Sequence, residues 1–587
     1  MTSRLWAALA PSSTASVRAR ELLASRVTPD WVTRETPLST HRVLFACGPR
    51  TTGRGSARIA HDAASGITLL CDGWFERLDE TRIGAESVGR TDCGDDNAAM
   101  LLRQYARCGD RLVDDLNGQF SLMVADPGSD QLLLFADPFC THPLYYRVVD
   151  RVHYVANSVR ALATIHPSPE VRGDAFLELL ARQGVRAPRT LFDGVQAVEP
   201  GTVQRLGGRS RRYWTWRYAP EPMVVEDALE LVGTALDAAT RLGVLGQPSC
   251  FVALSGGIDS SLVASSLRGH GCRFTPTTLA VDWVGREMDE TTKARIVASS
   301  LGAELVVAGV SATSFPTLLQ AHLRAADQPC PLGFGISLLS QAVEGSAELG
   351  LSGLGSDEFF FGYPEVNARL FGFAIPSLVD RYMQLSSLFP RHVLERVADR
   401  MGIEYGPVED RIRERMLGDI RERGATTPEE AAAVVLIDGF LVPGDVYSYH
   451  LFAAGHGVDV RHPFLNRRVV EVARRIPTAL AAFGAGRVGK PLLRRLARRR
   501  ALPRSIWVAP KHGFGAPAMA MVSRSGQRCR WFRYPARRHE LSRLLGDERI
   551  FGDPVSTARE GALDSYRLWA RLLTSHWLDE ISCDGRT

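Results

Sequence analysis

The residues best suited to chemistry in this sequence form a short loop of glycines, serines and one aspartate. Segment 255–260 reads SGGIDS; it follows the apolar run SCFVAL and precedes the helix-forming run SLVASSLRG. Gly256 and Gly257 let the backbone approach a ligand closely and present its N–H groups. The N-terminus of the next helix adds a positive dipole end, and the hydroxyls of Ser255 and Ser260 add donors. The loop therefore predicts an anion cradle suited to pyrophosphate.

Asp259, the charged residue of this loop, indicates that a cation takes part. A carboxylate repels phosphate unless a cation lies between them, and Mg²⁺ is the cation that phosphate sites use most. The loop lacks the Gly-Lys-Ser/Thr ending of a Walker loop. A plain strand-to-helix turn with a capping Asp or Ser is the alternative interpretation. The full six-residue string between a strand and a helix favours a nucleotide-binding site, with Mg²⁺ as its cation.

The elements around the loop alternate between strands and helices. A predicted helix at 225–242 leads to the strand SCFVAL, and the loop is followed by a helix, the strand TTLAVDW, a helix at 289–301 and the strand AELVVAGV. This alternation is typical of a parallel, doubly wound sheet. Beyond residue 363 the pattern is mostly helical. We therefore predict an α/β domain at 225–587 with a helical extension.

The first 217 residues have a different pattern. Short apolar stretches such as RVLFAC, FSLMVAD and QLLLFAD are separated by Gly, Pro and Asp turns, with helices predicted at 96–108 and 173–183. A polar, proline-containing stretch at 218–227 is the predicted linker. These features predict an α+β domain at 1–217.

Composition narrows the class of protein. The 587 residues predict two to four domains, and a net charge of +5 without a basic tail gives no reason to expect a nucleic-acid partner. The ten cysteines show no C-x-x-C spacing, which favours reduced thiols in a cytosol. No apolar run reaches the about 18 residues that span a bilayer. We therefore expect a cytoplasmic protein without a membrane partner.

Four motifs, taken in their order along the chain, resemble those of one known protein superfamily. SGGIDS resembles the loop of N-type ATP pyrophosphatases, and nearly the whole chain resembles the asparagine synthetase B superfamily. The matching strings are DDNAAMLLRQYARCGDRLVDDLNGQFSLMVAD with LFADPFCTHPLYY, LGLSGLGSDEFFFGY, VDVRHPFLNRRVVEVARRIP and LPRSIWVAPKHGFGAP. The resemblance implies an N-terminal class II glutamine amidotransferase-like (Ntn-type) β-sandwich domain. It also implies a C-terminal ATP pyrophosphatase-type synthetase domain.

The resemblance also implies roles for single residues. Asp259 and Asp357 fall where the superfamily holds Mg²⁺, and two carboxylates around a metal that bridges phosphates are chemically sensible. Ser352 and Gly353 fall where the nucleoside is contacted, and Val281 falls beside the adenine.

Two lysines complete the implied site. Lys490 and Lys511 fall at the positions that meet pyrophosphate and the reacting centre, and both are predicted to be catalytic. A solvated surface charge is the alternative for either lysine. For the arginine-rich stretch 487–504 a solvated face is expected, with a docking surface for an acidic partner as the alternative.

The N-terminal domain departs from the superfamily where glutamine would be hydrolysed. The sequence has Thr2 in place of the nucleophilic cysteine, and Asp72 in place of the oxyanion-hole asparagine. A carboxylate at an oxyanion hole repels the developing charge. The arginine of the A-R-D string is also missing, because the local residues are Phe135, Ala136 and Asp137. We therefore expect this domain to have no glutaminase activity.

The acceptor half of the synthetase site departs as well. Leu354 stands where asparagine synthetases have Glu and β-lactam synthetases have Tyr, Asn466 replaces an Asp, and His450 with Leu451 replaces Asp-Arg. This pattern is most similar to lasso peptide cyclases, which adenylate an Asp or Glu side chain of a precursor peptide and close a macrolactam with its N-terminal amine. An α-amine has a pKa of about 7.7–8.0, so a strong base is less necessary.

The resemblance to the cyclases implies a precursor core peptide as substrate, with a leader-peptide recognition protein and a leader peptidase as partners. Two alternatives stay open. One is a β-lactam synthetase-like or asparagine synthetase-like ligase of small molecules, and the other is a non-catalytic scaffold with a relic nucleotide site.

Overall fold

The described strands of this protein fall into three sheets: two antiparallel sheets in the N-terminal region of short apolar stretches, and one parallel sheet in the region where strands and helices alternate. The computed structural model describes residues 5–11, 14–26, 31–39, 41–47, 58–77, 97–166, 169–244, 247, 249–281, 290–311, 313–482, 489–509, 539–551 and 562–584. The chain divides into two compact units. The first contains Met1–Glu170, Arg186–Thr215 and Leu242–Pro248, and the second contains Val171–Val185, Trp216–Arg241 and Ser249–Thr587.

The first unit is a sandwich of two antiparallel sheets. Its strands are β1 (Leu5–Pro11), β2 (Val32–Pro37), β3 (His41–Cys47), β4 (Arg58–His61), β5 (Thr68–Arg77), β6 (Leu116–Asp126), β7 (Gln131–Ala136), β8 (Tyr145–Val149), β9 (Val152–Ala156), β10 (Val195–Ala197), β11 (Thr202–Arg205) and β12 (Ser210–Arg212). One sheet has the order β10-β8-β9-β1-β3-β2 and the other β12-β11-β7-β6-β5-β4.

The core of this unit lies between the sheets. Phe45 from one sheet and Met123 from the other are fully buried in the same apolar cluster. The helices are α1 (Thr14–Arg26), α2 (Asn97–Cys108) and α3 (Val159–Ala163). Helix α2, predicted at 96–108, packs Leu101 and Tyr105 on the outer face of the second sheet. The predicted sandwich is therefore confirmed.

The second unit is built on a five-stranded parallel sheet of order β15-β14-β13-β16-β17. Its strands are β13 (Cys250–Ala253), β14 (Phe274–Val281), β15 (Val306–Val310), β16 (Leu349–Leu351) and β17 (Asp459–Arg461). The order reverses between β13 and β16, so the sheet is doubly wound as predicted. In such sheets ligands bind beyond the carboxyl ends of the strands, at the point of reversal.

Helices surround and extend this sheet. They are α4 (Gly173–Arg182), α5 (Val225–Gly243), α6 (Ile258–Gly269), α7 (Thr291–Ser300), α8 (Phe315–Ala325), α9 (Phe334–Val343), α10 (Ser356–Phe359), α11 (Pro364–Leu370), α12 (Ile375–Ser386), α13 (Arg391–Arg400), α14 (Gly406–Glu422), α15 (Pro428–Leu436), α16 (Tyr447–Gly455), α17 (Arg467–Ala473), α18 (Thr478–Ala481), α19 (Pro491–Arg499), α20 (Arg504–Trp507), α21 (Glu540–Leu545), α22 (Glu548–Phe551) and α23 (Ala562–Asp584). Helix α4 belongs to the second unit although it lies within 1–217, and the predicted domain boundaries stay predictions.

Helices α15 and α16 are joined by a π-helix, Ile437–Val446, into one continuous helical segment, Pro428–Gly455. Among the described residues this segment alone is long and apolar enough to cross a membrane, with a hydropathy of 1.4. The expectation that no apolar run has this length was therefore wrong. Because 78% of its most apolar window is buried inside the protein, the segment has the burial of a core helix.

Candidate active site

The SGGIDS loop connects β13 to α6 and requires its first glycine. Gly256 has a φ of +71°, and a Cβ built there would lie 2.5 Å from the backbone carbon of Lys293 on α7. Any L-residue with a side chain would therefore be strained and would push α7 away. The close approach of loop and helix fixes the loop at the carboxyl end of β13.

The loop presents donors toward the ligand side. Gly257 is the N-cap of α6, and no side chain caps the first turn of this described helix. The first N–H groups of a helix have no intrahelical partner, so they are available to an anion. The Ser255 hydroxyl accepts from the Gly257 N–H at 3.1 Å and lies 3.4 Å from the Ser260 hydroxyl. The hydrogen bond and the close hydroxyls hold the cradle in shape.

Three charged residues meet beside this loop. The Lys490 Nζ lies 2.5 Å from Asp259 Oδ1 and 2.6 Å from Asp357 Oδ1, and the lysine is only 4% exposed. Burial alone lowers the pKa of an ammonium, but the attraction of Asp259 and Asp357 and their hydrogen bonds outweigh it and raise the pKa of Lys490. Lys490 is therefore a fixed cation, and the sequence-predicted residues Asp259, Asp357 and Lys490 form one cluster.

The backbone around Lys490 is arranged to deliver its side chain. Lys490 has a left-handed conformation (φ 61°), rare for a non-glycine residue, directly before Pro491 at the start of α19. Its Nζ also donates to the Ser356 hydroxyl at 3.0 Å. A Cβ at Gly362 would collide with both Asp357 and the Lys490 side chain. Sequence inspection missed Gly362, whose importance comes only from this contact.

Ser352 and Gly353 follow β16 at the opposite side of the strand-order reversal. The Ser352 hydroxyl forms a 2.8 Å hydrogen bond with Nδ1 of the buried His462 and accepts from the Leu354 N–H at 3.3 Å. A Cβ at Gly353 would lie 2.6 Å from the Cβ of Asp259, so the two loops pack directly together. Both predicted nucleoside residues thus lie beside the loop, and their contact with a nucleoside stays a prediction.

A cleft of about 340 Å³ connects these groups. Its lining brings together Ser255, Gly256, Gly257, Asp259, Ser260, Ser352, Gly353, Asp357 and Lys490. On the remaining lining lie Leu354, Glu358, Tyr363, Phe440, Asp445 and Tyr449. The apolar side chain of Leu354 thus faces the same cleft as the nucleotide loop.

Two cations of this cleft were not singled out from the sequence. Lys293 on α7 and Arg494 on α19 both line it. Arg494 donates from Nε to the Gly489 carbonyl and from Nη1 to the Trp507 carbonyl, both at 2.7 Å. The only signal for Arg494 was its position one helical turn after Lys490.

The arginine-rich stretch is correspondingly less exposed than expected. Arg500 donates to Asp237 at 2.8 Å and to the Ser266 hydroxyl at 2.7 Å. The expectation of a solvated face was therefore wrong for Arg494 and Arg500. Both hold secondary structure elements together.

Two predicted site residues lie elsewhere. Val281 ends β14, pairs with Val310, and is not among the described lining residues of the cleft. Lys511 lies outside the described residues. Their predicted roles stay predictions.

Asp259 and Asp357 fit a divalent cation bound together with a phosphate ligand. With Lys490, the two carboxylates leave one net negative charge beside the anion cradle. Within the described residues there is no cluster of three or more His, Cys, Asp or Glu that forms a complete metal cage. Mg²⁺ is commonly held by one or two carboxylates plus substrate phosphates. Asp259 and Asp357 would hold it in that way.

The first unit contains the residues that stand at the glutaminase positions of the superfamily. Asp72 lies on β5 opposite Ser121 of β6 and is 8% exposed, and Gly73 after it has a φ of +98°. Asp137 is the last residue of the string that replaces A-R-D in this chain. It is 1% exposed and accepts hydrogen bonds from backbone N–H groups. Thr2 lies outside the described residues. The absence of glutaminase activity stays a prediction.

The fold and the cleft define a class of protein: a doubly wound ATP pyrophosphatase-type domain accompanied by an Ntn-type sandwich. The asparagine synthase family model matches residues 231–579, and the chain belongs to that family. A glutamine amidotransferase domain model matches residues 80–215. The superfamily predicted from the four motifs is therefore confirmed.

Over the aligned stretches, curated relatives are about a quarter identical to this chain. Amidase chry2 of Gibberella zeae is 26% identical over 339 residues, 52% of this chain and 49% of the relative. Asparagine synthetase [glutamine-hydrolyzing] 3 of Bacillus subtilis is 26% identical over 210 residues, 35% of this chain and 34% of the relative. The chain thus spans half or less of the curated relatives it matches.

Solved structures give weaker likenesses. Glutamine phosphoribosylpyrophosphate amidotransferase from B. subtilis is 12% identical, covers 60% of this chain and 81% of its own, and has a TM-score of 0.23. The NMN synthetase from Francisella tularensis is 14% identical, covers 37% of this chain and 94% of its own, and has a TM-score of 0.20. TM-scores this low establish no functional relationship.

Proposed function

We propose that this protein is an ATP-dependent, AMP-forming amide ligase that acts on a peptide. It adenylates an Asp or Glu side chain of a precursor peptide and closes a macrolactam with the peptide's N-terminal amine. The single observation that carries the ligase part is the Lys490 ammonium, which bridges Asp259 and Asp357 beside the SGGIDS cradle. That arrangement suits a triphosphate that must lose pyrophosphate.

The chemistry has two steps. A carboxylate oxygen of the substrate attacks the α-phosphorus of ATP, the bond to the β-phosphate breaks, and pyrophosphate leaves. The amine nitrogen then attacks the acyl carbon, AMP leaves with the bonding electrons, and protons pass to solvent. The helix N–H groups and hydroxyls of the loop bind pyrophosphate, and Lys490 stabilises its negative charge. A bound Mg²⁺ would supply further charge neutralisation.

The peptide part of the proposal is supported by the acceptor half of the cleft. Leu354 lines it and offers no group for proton transfer. An acceptor that is already partly neutral near pH 7, such as an α-amine with a pKa of about 7.7–8.0, has the least need of such a group. A precursor peptide, a leader-recognition protein and a leader peptidase are the partners that this function would require.

An asparagine synthetase-like or β-lactam synthetase-like ligase of small molecules is the second candidate. The specific observations in its favour are the family match and the similarity to a Bacillus asparagine synthetase. For such a ligase, the described lining of the cleft does not explain why Leu354 replaces the Glu or Tyr found at this position.

The test is pyrophosphate release from ATP and Mg²⁺ with candidate acids. Peptides with an internal Asp or Glu and a free N-terminus are compared with the same peptides acetylated at the N-terminus, and with free aspartate. We expect release with peptides, and loss of one water from the peptide mass only when its N-terminus is free. Release with free amino acids alone would support the second candidate, and no release with any acid would contradict both.

A further inference from the structure

Lys293 is a basic residue of the cleft wall. It belongs to the first turn of α7 and lines the cleft together with Glu290, which lies three residues earlier and forms the N-cap of that helix. Residues three apart lie on the same face of a helix. Because both residues line the cleft, Lys293 belongs to the face of α7 that borders it.

The stem of Lys293 begins directly beside the SGGIDS loop. A Cβ built on Gly256 would lie 2.5 Å from both the Cβ and the carbonyl carbon of Lys293, and 2.6 Å from the backbone nitrogen of Ala294. The missing side chain of Gly256 therefore lets the lysine approach this closely. Gly257, the next loop residue, is the N-cap of α6, whose first N–H groups form the predicted anion cradle. Lys293 and these N–H groups thus adjoin the same short loop.

The other two described cations of the cleft are held by the protein itself. Lys490 is shared between Asp259 and Asp357 at 2.5 and 2.6 Å. Arg494 donates to two backbone carbonyls, both at 2.7 Å. Lys293 has no ion pair of the Lys490 kind within the described part of the chain. Its charge can therefore serve a ligand without first breaking such a pair.

The cleft as a whole has too little positive charge for a triphosphate. Its described lining contains five carboxylic acids and three basic side chains, a formal excess of two negative charges. A Mg²⁺ held by Asp259 and Asp357 would offset part of the repulsion between this lining and the phosphates. A lysine beside the anion cradle offsets more of it, since an ammonium is a compact point charge that suits phosphate oxygens.

We propose that Lys293 binds the pyrophosphate end of ATP, the part that leaves when the substrate carboxylate is adenylated. The inference rests on the proposed ligase function and adds a binding residue to the same site. As the carboxylate oxygen attacks the α-phosphorus, the bond to the β-phosphate breaks and pyrophosphate takes the bonding electrons. Lys293 keeps its proton and donates to pyrophosphate oxygens before and after this step. It therefore contributes to the binding of ATP and of pyrophosphate, but not to the binding of AMP.

The test is calorimetric titration of the full chain with pyrophosphate and, separately, with AMP, both in the presence of Mg²⁺. Lys293→Met keeps the backbone and the Cβ that meet Gly256, and it removes only the ammonium. We expect the Kd of pyrophosphate to rise about 10- to 100-fold, the range for a lost hydrogen bond between charged groups, and the Kd of AMP to stay within about twofold. Because ATP makes the same contact, its KM should rise while kcat changes less.

Two variants separate a contact from a general effect of charge. Lys293→Arg keeps the positive charge and should recover part of the pyrophosphate affinity. Arg295→Met removes a cation from an exposed position of the same helix and should leave both Kd values unchanged.

Three results would overturn the assignment: wild-type pyrophosphate affinity in Lys293→Met, an equal loss of pyrophosphate and AMP affinity in that variant, or the same loss of pyrophosphate affinity in Arg295→Met. A wild-type protein that binds neither ligand would instead refute the proposed function, and the inference with it.

Discussion

Two carboxylate centres, one in each unit, balance their negative charge in different ways. In the first unit Asp137 accepts hydrogen bonds from the backbone N–H groups of Phe120, Phe139 and Thr141 at 2.8–3.2 Å, and from the Thr141 hydroxyl at 2.6 Å. In the second unit Asp259 and Asp357 share the single ammonium of Lys490.

The difference indicates which centre can do chemistry. Backbone donors are fixed, so a carboxylate that they satisfy holds a corner of the sandwich and has little capacity for a ligand. One ammonium between two carboxylates leaves a net negative charge on that cluster, and a ligand or a metal can balance this charge. The same residue type is therefore structural in one unit and a candidate for catalysis in the other.

The largest effect is expected from Lys490→Met. The variant removes the ammonium that bridges the two carboxylates, and with it the charge that would stabilise pyrophosphate. We expect pyrophosphate release to fall by about 10²- to 10³-fold and the free energy of unfolding to fall by about 3–5 kcal/mol. Enzyme assay and urea denaturation measure the two effects. Near wild-type release would remove Lys490 from the mechanism.

Asp259→Asn and Asp357→Asn should separate activity from stability. Each leaves one carboxylate paired with one ammonium, so the melting temperature should hardly change. Pyrophosphate release should fall by about 10²-fold or more, because the substitution weakens the predicted metal site. If either variant released pyrophosphate at the wild-type rate at ordinary Mg²⁺ concentration, the metal assignment would be wrong.

Asp137→Asn should show the reverse pattern, with stability reduced and pyrophosphate release unchanged. An amide offers one acceptor oxygen, and its NH₂ group faces N–H donors, so a loss of about 1–3 kcal/mol is expected. Burial raises the pKa of Asp137 from 3.8 to about 6, against the hydrogen bonds that lower it. An acid with a raised pKa binds more protons folded than unfolded, so its contribution to stability falls as the pH rises from about 4 to 6.

Urea denaturation of the full chain near pH 4 and pH 7 checks this sign. The wild-type protein should lose stability between these values relative to Asp137→Asn, which has no carboxyl at this site. An equal change in both proteins would show that Asp137 does not titrate in this range. A loss of pyrophosphate release in Asp137→Asn would weaken the contrast between the two centres.

The fold and half of the cleft were predictable because their signals are local. The SGGIDS loop lies between a strand and a helix in sequence, and alternation of strands and helices determines a doubly wound sheet. Residues such as Asp259 and Ser260 therefore follow from one window of sequence.

The remaining features depend on contacts between distant residues. Gly362 matters only because Asp357 and Lys490 meet beside it, and the Ser352–His462 hydrogen bond joins positions 110 residues apart. Asp445 belongs to an apolar helical segment whose π-helical turn has no simple periodic signature. Without tertiary structure, the arginine-rich helix resembled a solvated face, and Arg494 could not be assigned to the cleft.

The smallest effect concerns His322, a buried titratable residue of the second unit. Within the described part of the chain it has neither backbone N–H partners, as Asp137 has, nor a charged partner, as Asp259 has. His322 is fully buried; its ring stacks on Phe452 at 4.1 Å and meets Phe334 edge-on at 5.2 Å. Within the described residues neither ring nitrogen has a hydrogen-bond partner. Burial, with a smaller contribution from His456, lowers the pKa of His322 from 6.5 to about 3.

A base with a depressed pKa contributes stability above its unfolded pKa and loses it as the pH falls, here from about 6.5 toward 3. His322→Phe keeps an aromatic ring in the cage and removes both the unsatisfied nitrogens and this titration. We expect it to stabilise the protein by about 1 kcal/mol at pH 7, with a further gain of about 1.4 kcal/mol for each pH unit below 6.5. Pyrophosphate release should not change, because His322 does not line the described cleft.

The control is His456→Gln, which removes the imidazole that lies 3.0 Å from Glu344 and leaves His322 in place. Melting temperatures near pH 5 and pH 7 that differ equally for wild type and His322→Phe would show that His322 is hydrogen-bonded or hydrated in solution.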